Sequence, residues 1–127
     1  MTTLRVGIAD HGEMKAWTMR VARGEEKVTE ETPKVWFTSI ESFARILSAG
    51  NRELLRVIDE KAPGSVGELA EMTGRAKSNL SRTLRKMAVY GLVRMDKGQG
   101  RRLVPRVAHD RVELDLWLTH GKRGSRS

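Results

Sequence analysis

Residues 65–102 (SVGELAEMTGRAKSNLSRTLRKMAVYGLVRMDKGQGRR) constrain this chain more tightly than any other part of its 127 residues. Ser65-Val66-Gly67-Glu68 has capping-box spacing, in which the first side chain accepts from a backbone N–H three residues on. It predicts a short helix through Met72, with Leu69, Ala70 and Met72 turned inward. Gly74 suits the left-handed position that ends such a helix, because glycine has no Cβ to clash there. A second helix is expected from residue 76 or 77 to residue 90, stopped by Gly91. Its Leu80, Leu84 and Met87 fall at i, i+4 and i+7 and form one buried stripe. Residues 92–97 (LVRMDK) and 101–107 (RRLVPRV) then flank Gly98-Gln99-Gly100, a pattern of two strands and a turn that needs positive φ. Pro105 lacks an N–H and confines its strand to an edge.

The buried stripe decides what the second helix presents outward. Ser78, Arg82 and Arg85 lie at i, i+4 and i+7 and point the same way, with Lys77, Asn79, Ser81 and Lys86 beside them. A charged outer face is ordinary for an amphipathic helix and is usually just solvated, so charge alone decides little. Three features go further. No acidic residue occurs between Arg75 and Val93. The first half of the helix uses Ser78, Asn79, Ser81 and Thr83, weak helix formers that a purely structural helix would not favour. A capped short helix and a glycine turn precede it at helix-turn-helix spacing, and the hairpin after it completes the order of a winged helix-turn-helix.

These residue types suit duplex DNA. Arginine forks guanine O6 and N7, asparagine pairs with adenine, and hydroxyls serve bases or phosphates. Lys77 and Ser78 stand where free N–H groups and the helix dipole favour a phosphate. Lys97, Arg101 and Arg102 cluster at the hairpin tip, where a wing meets the backbone or the minor groove. Edge strands also carry Lys and Arg to deter aggregation, and both readings hold there. The expected DNA-contact set is Arg75, Lys77, Ser78, Asn79, Ser81, Arg82, Arg85, Lys86, Lys97, Arg101 and Arg102. Residues 75–102 hold nine basic side chains and one acidic, a net of +8. That equals the charge of the whole chain, whose 24 Lys+Arg face 16 Asp+Glu. The basicity is localised.

Elsewhere the chain alternates weaker signals. Leu4, Val6 and Ile8 predict a strand, and Asp10-His11-Gly12-Glu13 a capped helix with Met14, Trp17 and Val21 on one face, ended by Gly24. Residues 25–33 (EEKVTEETP) read as an acidic linker or mobile arm. Residues 34–37 form a short apolar patch that could be a strand, and Thr38-Ser39-Ile40-Glu41 should start a helix with Ile40, Phe43, Ile46 and Leu47 inward. Ser48-Ala49-Gly50-Asn51 breaks it, with Asn51 capping the next helix, whose Leu54, Leu55 and Ile58 form a stripe before Pro63-Gly64. Val112, Leu114, Leu116 and Leu118 alternate with Glu113, Asp115 and Trp117, a strong strand pattern that needs a partner in residues 4–8 or in a second copy. Residues 119–127 read as a basic disordered tail. The fold class expected is α+β, with a strand-helix segment and linker at 1–33 that could serve dimerisation, a winged-helix domain at 34–118 and the tail.

Absent residues exclude several functions. With no cysteine there is no disulfide, cysteine-bound zinc or thiol catalysis. No apolar run is long enough to span a membrane, no secretory leader is evident, and a cytoplasmic protein is expected. His11, His109 and His120 share no ligand spacing, so no metal is expected, and no nucleophile or nucleotide-loop pattern occurs. Neither catalysis nor a cofactor is expected. Trp17, Trp36, Phe37, Phe43 and Trp117 read as core or dimer-interface residues, with an apolar effector pocket as the alternative.

Gly67-Glu68-Leu69-Ala70, then residues 78–84 (SNLSRTL), then Tyr90-Gly91-Leu92-Val93 resemble the core of prokaryotic winged-helix regulators of the MarR and ArsR type over residues 52–107. The whole chain also resembles small prokaryotic DNA-binding regulators in which Ala22-Arg23-Gly24-Glu25 precedes the winged helix. The resemblance implies a recognition helix over residues 77–90, double-stranded DNA as ligand, and a homodimer reading two half-sites in transcriptional regulation. The chain departs from MarR-type proteins in ending on a strand and from ArsR-type metal sensors in lacking cysteine, which leaves the effector open. The competing class is a winged-helix interaction module, such as an antitoxin-like partner or a complex subunit, in which the same helix binds protein.

Overall fold

The computed structural model describes residues 2–119. In chain order it contains β1 (Thr3–Ile8), α1 (His11–Ala22), β2 (Val35–Phe37), α2 (Ile40–Ile46), α3 (Ala49–Lys61), α4 (Val66–Thr73) and α5 (Lys77–Val89), then β3 (Val93–Lys97), β4 (Leu103–Val107) and β5 (Arg111–Asp115). The class is α+β, and contacts group the chain into two compact units.

The first unit comprises Arg45–Arg111 with Thr2. Its core is Leu54 and Ile58 from α3, Leu69 from α4, Leu80, Leu84 and Met87 from α5, and Leu92 and Val93 leading into the hairpin. Leu69 and the three α5 residues are fully shielded (0% exposed), so each contributes about 1.5–3 kcal/mol relative to an exposed position. The hairpin pairs β3 with β4 antiparallel, Val93 opposite Val107 and Lys97 opposite Leu103. Gly100 takes φ +65 in the connecting turn, and the Gly98 N–H donates to the Arg102 carbonyl at 2.9 Å. Pro105 is buried opposite Met95, where a two-stranded sheet makes no demand for its missing N–H. Thr2 joins this unit through the 2.8 Å contact between its Oγ1 and His109 Nδ1, so His109 meets a hydroxyl.

Among the described residues, the second unit comprises Thr3–Ala44 and Val112–Thr119. Its sheet has the order β2-β1-β5, with β1 and β2 parallel and Val6 opposite Val35. The partner strand demanded by the alternating C-terminal pattern is thus β1 of the same chain. Leu4, Val6, Ala9 and Phe37 form its buried core. Helix α1 has the full capping box, Asp10 Oδ1 accepting from the Glu13 N–H at 2.8 Å and Glu13 Oε1 from the Asp10 N–H at 2.9 Å. Met14, Trp17 and Val21 are only half-buried, and α1 buries no residue fully.

Several local expectations are corrected. Ser48, not Asn51, caps α3: its Oγ accepts from the Asn51 N–H at 3.3 Å, while Asn51 Nδ2 donates to the Ile46 carbonyl. A serine three residues ahead is better placed to take that orphan donor. Ser39 Oγ likewise accepts from the Ser42 N–H, so α2 starts one residue later than the Thr38 spacing suggests. Met72 and Ile40 are 37% and 40% exposed instead of inward. Strand β5 stops at Asp115, and Leu116 and Leu118 lie beyond it, 39% and 90% exposed. Residues 25–33 carry no helix or strand, yet they are anchored. Glu26 accepts from Trp17 Nε1 at 2.6 Å and Arg20 Nε at 3.0 Å, and Thr29 and Thr32 close a hydrogen-bonded turn. The tail expected at 119–127 falls outside the described residues from position 120 on.

Candidate nucleic-acid interface

Helices α4 and α5 are joined by three residues, Gly74-Arg75-Ala76. Ser65 Oγ caps the first helix by accepting from the Glu68 N–H at 3.0 Å, and Gly74 ends it at φ +74 with its N–H donating to the Ala70 carbonyl. Arg75 then ties the turn down. Its Nη2 donates to the Gly50 carbonyl at 2.8 Å and its Nη1 to Asn51 Oδ1 at 3.4 Å, both at the start of α3. Arg75 is half-buried and positions the turn, unlike the other cations of the expected set.

The buried stripe of Leu80, Leu84 and Met87 fixes the roll of α5. Ser78, Asn79, Arg82, Arg85 and Lys86 are exposed as a result, as is Lys77, and Ser81 is half-buried. Ser78, Arg82 and Arg85 share one outward line. Val89 extends it and is 78% exposed, an apolar member that the charge pattern did not single out. No side chain caps the N-terminus of α5, whereas Asp10, Ser48 and Ser65 cap α1, α3 and α4. The N–H groups of its first turn therefore face outward without a side-chain acceptor.

Lys97, Arg101 and Arg102 are exposed on the hairpin. Among the described residues, no ion pair engages Lys77, Arg82, Arg85, Lys86, Lys97, Arg101 or Arg102. Other arginines of the unit behave differently: Arg94 pairs with Asp96 at 2.8 Å, and Arg106 Nη1 donates to the Pro63 carbonyl at 2.9 Å. These seven cations stand on α5 and at the hairpin tip.

An open groove of about 700 Å³ runs between the start of α4, α5 and the hairpin. It brings Lys77 and Ser81 together with Arg101 and Arg102, four of the expected contact residues that are well separated in sequence. It also brings in Glu68 and Glu71 from α4, which sequence reasoning passed over. Their i, i+3 spacing on a short helix was the available signal. Lys97, Arg82, Arg85 and Lys86 lie outside this groove. Among the described residues no group of three or more His, Cys, Asp or Glu is placed to hold a metal, and no helix is long and apolar enough to cross a membrane.

A model of the family described as HVO_A0114 matches residues 46–114, more than half of the chain. The matched stretch runs from the end of α2 into β5 and contains every side chain of the cationic surface. Among curated proteins no sequence matches the chain.

Proposed function

The chain belongs to the HVO_A0114 family, and for this member we propose sequence-specific binding of double-stranded DNA in transcriptional regulation, through a winged helix-turn-helix. In this reading α4 and α5 are the helix pair, α5 enters the major groove, and the β3-β4 hairpin is the wing against the backbone or minor groove. Ser78, Arg82 and Arg85 read base edges. Lys77, Lys86, Lys97, Arg101 and Arg102 meet phosphates, and Asn79 and Ser81 flank the reading face. Arg75 supports the set by holding the turn. The protein acts as a homodimer on a two-fold symmetric site, as the likeness to MarR and ArsR regulators implies.

The observation that carries this reading is the outward line of Ser78, Arg82 and Arg85 on a helix whose opposite stripe is fully buried and whose cations lack ion-pair partners among the described residues. The three-residue turn anchored by Arg75 adds support, because it holds α5 rigidly for recognition. Selection of bound duplexes from a random pool tests it. A two-fold symmetric motif with half-sites about 10 bp apart is expected, and recovery of no motif counts against it.

A second reading draws on Val89, Met72 and Leu103, which are 78%, 37% and 47% exposed. Apolar side chains at the margin of a recognition surface fit a protein partner, with α5 as an interaction helix. That module would show little duplex affinity at any salt concentration, whereas a DNA regulator's affinity falls steeply as salt rises.

A further inference from the structure

Glu68 and Glu71 give the groove beside α5 two electrical signs. They stand nearly one helical turn apart on α4 and line the groove that Lys77, Arg101 and Arg102 also line. Among the described residues no ion pair joins the two carboxylates to the three cations. Charges of both signs that share a groove without pairing leave their fields to act on whatever enters. Gly67 keeps this part of α4 low: a Cβ added there would meet only Ser65 Oγ at 3.8 Å and Lys77 Nζ at 4.0 Å. The Lys77 ammonium therefore reaches back toward the start of α4, while the two arginines approach from the hairpin. The three cations thus border one volume from separate elements.

Resting on the DNA reading above, we propose that this groove seats a single backbone phosphate, held jointly by Lys77, Arg101 and Arg102, while Glu68 and Glu71 repel its neighbours along the strand. The carboxylates make the strand cross the groove and keep it from running along α4. They weaken total affinity and fix register, as like-charge opposition does at other charged interfaces.

Duplex titration of the full chain over a range of salt concentrations tests this. Lys77→Ala and Arg101→Ala should each weaken binding, and the double variant should lose much less than the product of the single losses, because both groups act on one phosphate. The log–log salt slope should fall by no more than about 1 for the double variant, because Arg102 still meets the phosphate, against about 2 if each met its own phosphate. Glu71→Gln should tighten binding roughly two- to fivefold, the size of a solvated like-charge repulsion across a few ångströms. Its thermal unfolding should be unchanged, since Glu71 is exposed. Multiplicative losses with a slope change of about 2, or a Glu71→Gln variant that binds no tighter, would overturn the single-phosphate groove while leaving DNA binding intact. An unmodified chain with no salt-dependent duplex affinity would overturn the DNA reading and the groove with it.

Discussion

Arg82 and Leu84 stand two positions apart on α5 and serve opposite ends. Leu84 is fully buried, so Leu84→Ala leaves a cavity and should cost about 2–5 kcal/mol, read as a lowered unfolding midpoint. Arg82 is exposed and free of ion pairs among the described residues, so Arg82→Ala should change stability by less than about 0.5 kcal/mol. The same substitution should weaken specific duplex binding by about 1–3 kcal/mol and relax the preference at one base pair. Unchanged duplex binding in both Arg82→Ala and Arg85→Ala would remove the assignment of this face. Arg101→Ala or Arg102→Ala should instead weaken specific and non-specific duplexes alike, because phosphate contacts carry no sequence information. The shared outward face of Ser78, Arg82 and Arg85 was legible from helical spacing alone, and all three are exposed. The role of Arg75 was not, because its partners Gly50 and Asn51 lie about 25 positions away and only folding brings them together.

At the scale of elements, α4 depends on its ends. It has 8 residues, too few to persist by propensity, so its cap and its packing through Leu69 hold it. Ser65→Ala removes the acceptor for the Glu68 N–H and should cost about 0.5–2 kcal/mol in denaturant unfolding. Just upstream, α3 ends at Ala62 in the left-handed region, φ +45, ahead of Pro63. A Cβ is disfavoured there, so Ala62→Gly should raise stability by up to about 1 kcal/mol, and a lower unfolding midpoint would contradict the geometry. The stop was read from the sequence as Pro63-Gly64. The chain turns one residue earlier because Pro63 disfavours helical geometry at the residue before it. The capping box of α1 and the Ser65 cap of α4 were legible, being contacts over three residues. The length of β5 was not: its alternation continues to Leu118, but the strand ends at Asp115.

Over the whole molecule, charge follows the division into units. Residues 45–111 hold fifteen basic and seven acidic side chains, a net of +8. Residues 3–44 with 112–119 hold six basic and nine acidic, a net of −3. On the proposed DNA reading, the unit with the cationic surface is thus the one expected to meet the duplex, and the other contributes little attraction to it. Duplex affinity should accordingly fall by orders of magnitude between about 50 and 200 mM salt, with a slope near the number of phosphates met. A flat salt profile with tight binding to a protein partner would favour the interaction module.

By itself the sequence determined the helix pair, the hairpin, the outward face of α5 and the concentration of charge at residues 75–102. Each of these rests on periodicity, caps, turns or counting, which are local properties of a chain. Tertiary structure alone decided that the C-terminal strand returns to β1 and that residues 45–111 form a unit distinct from the flanking segments. It also decided that Arg75 braces the turn, and that Glu68 and Glu71 share a groove with Lys77, Arg101 and Arg102. Those are contacts between residues distant in sequence. Their pairing depends on which buried surfaces pack together, and no local pattern encodes that choice.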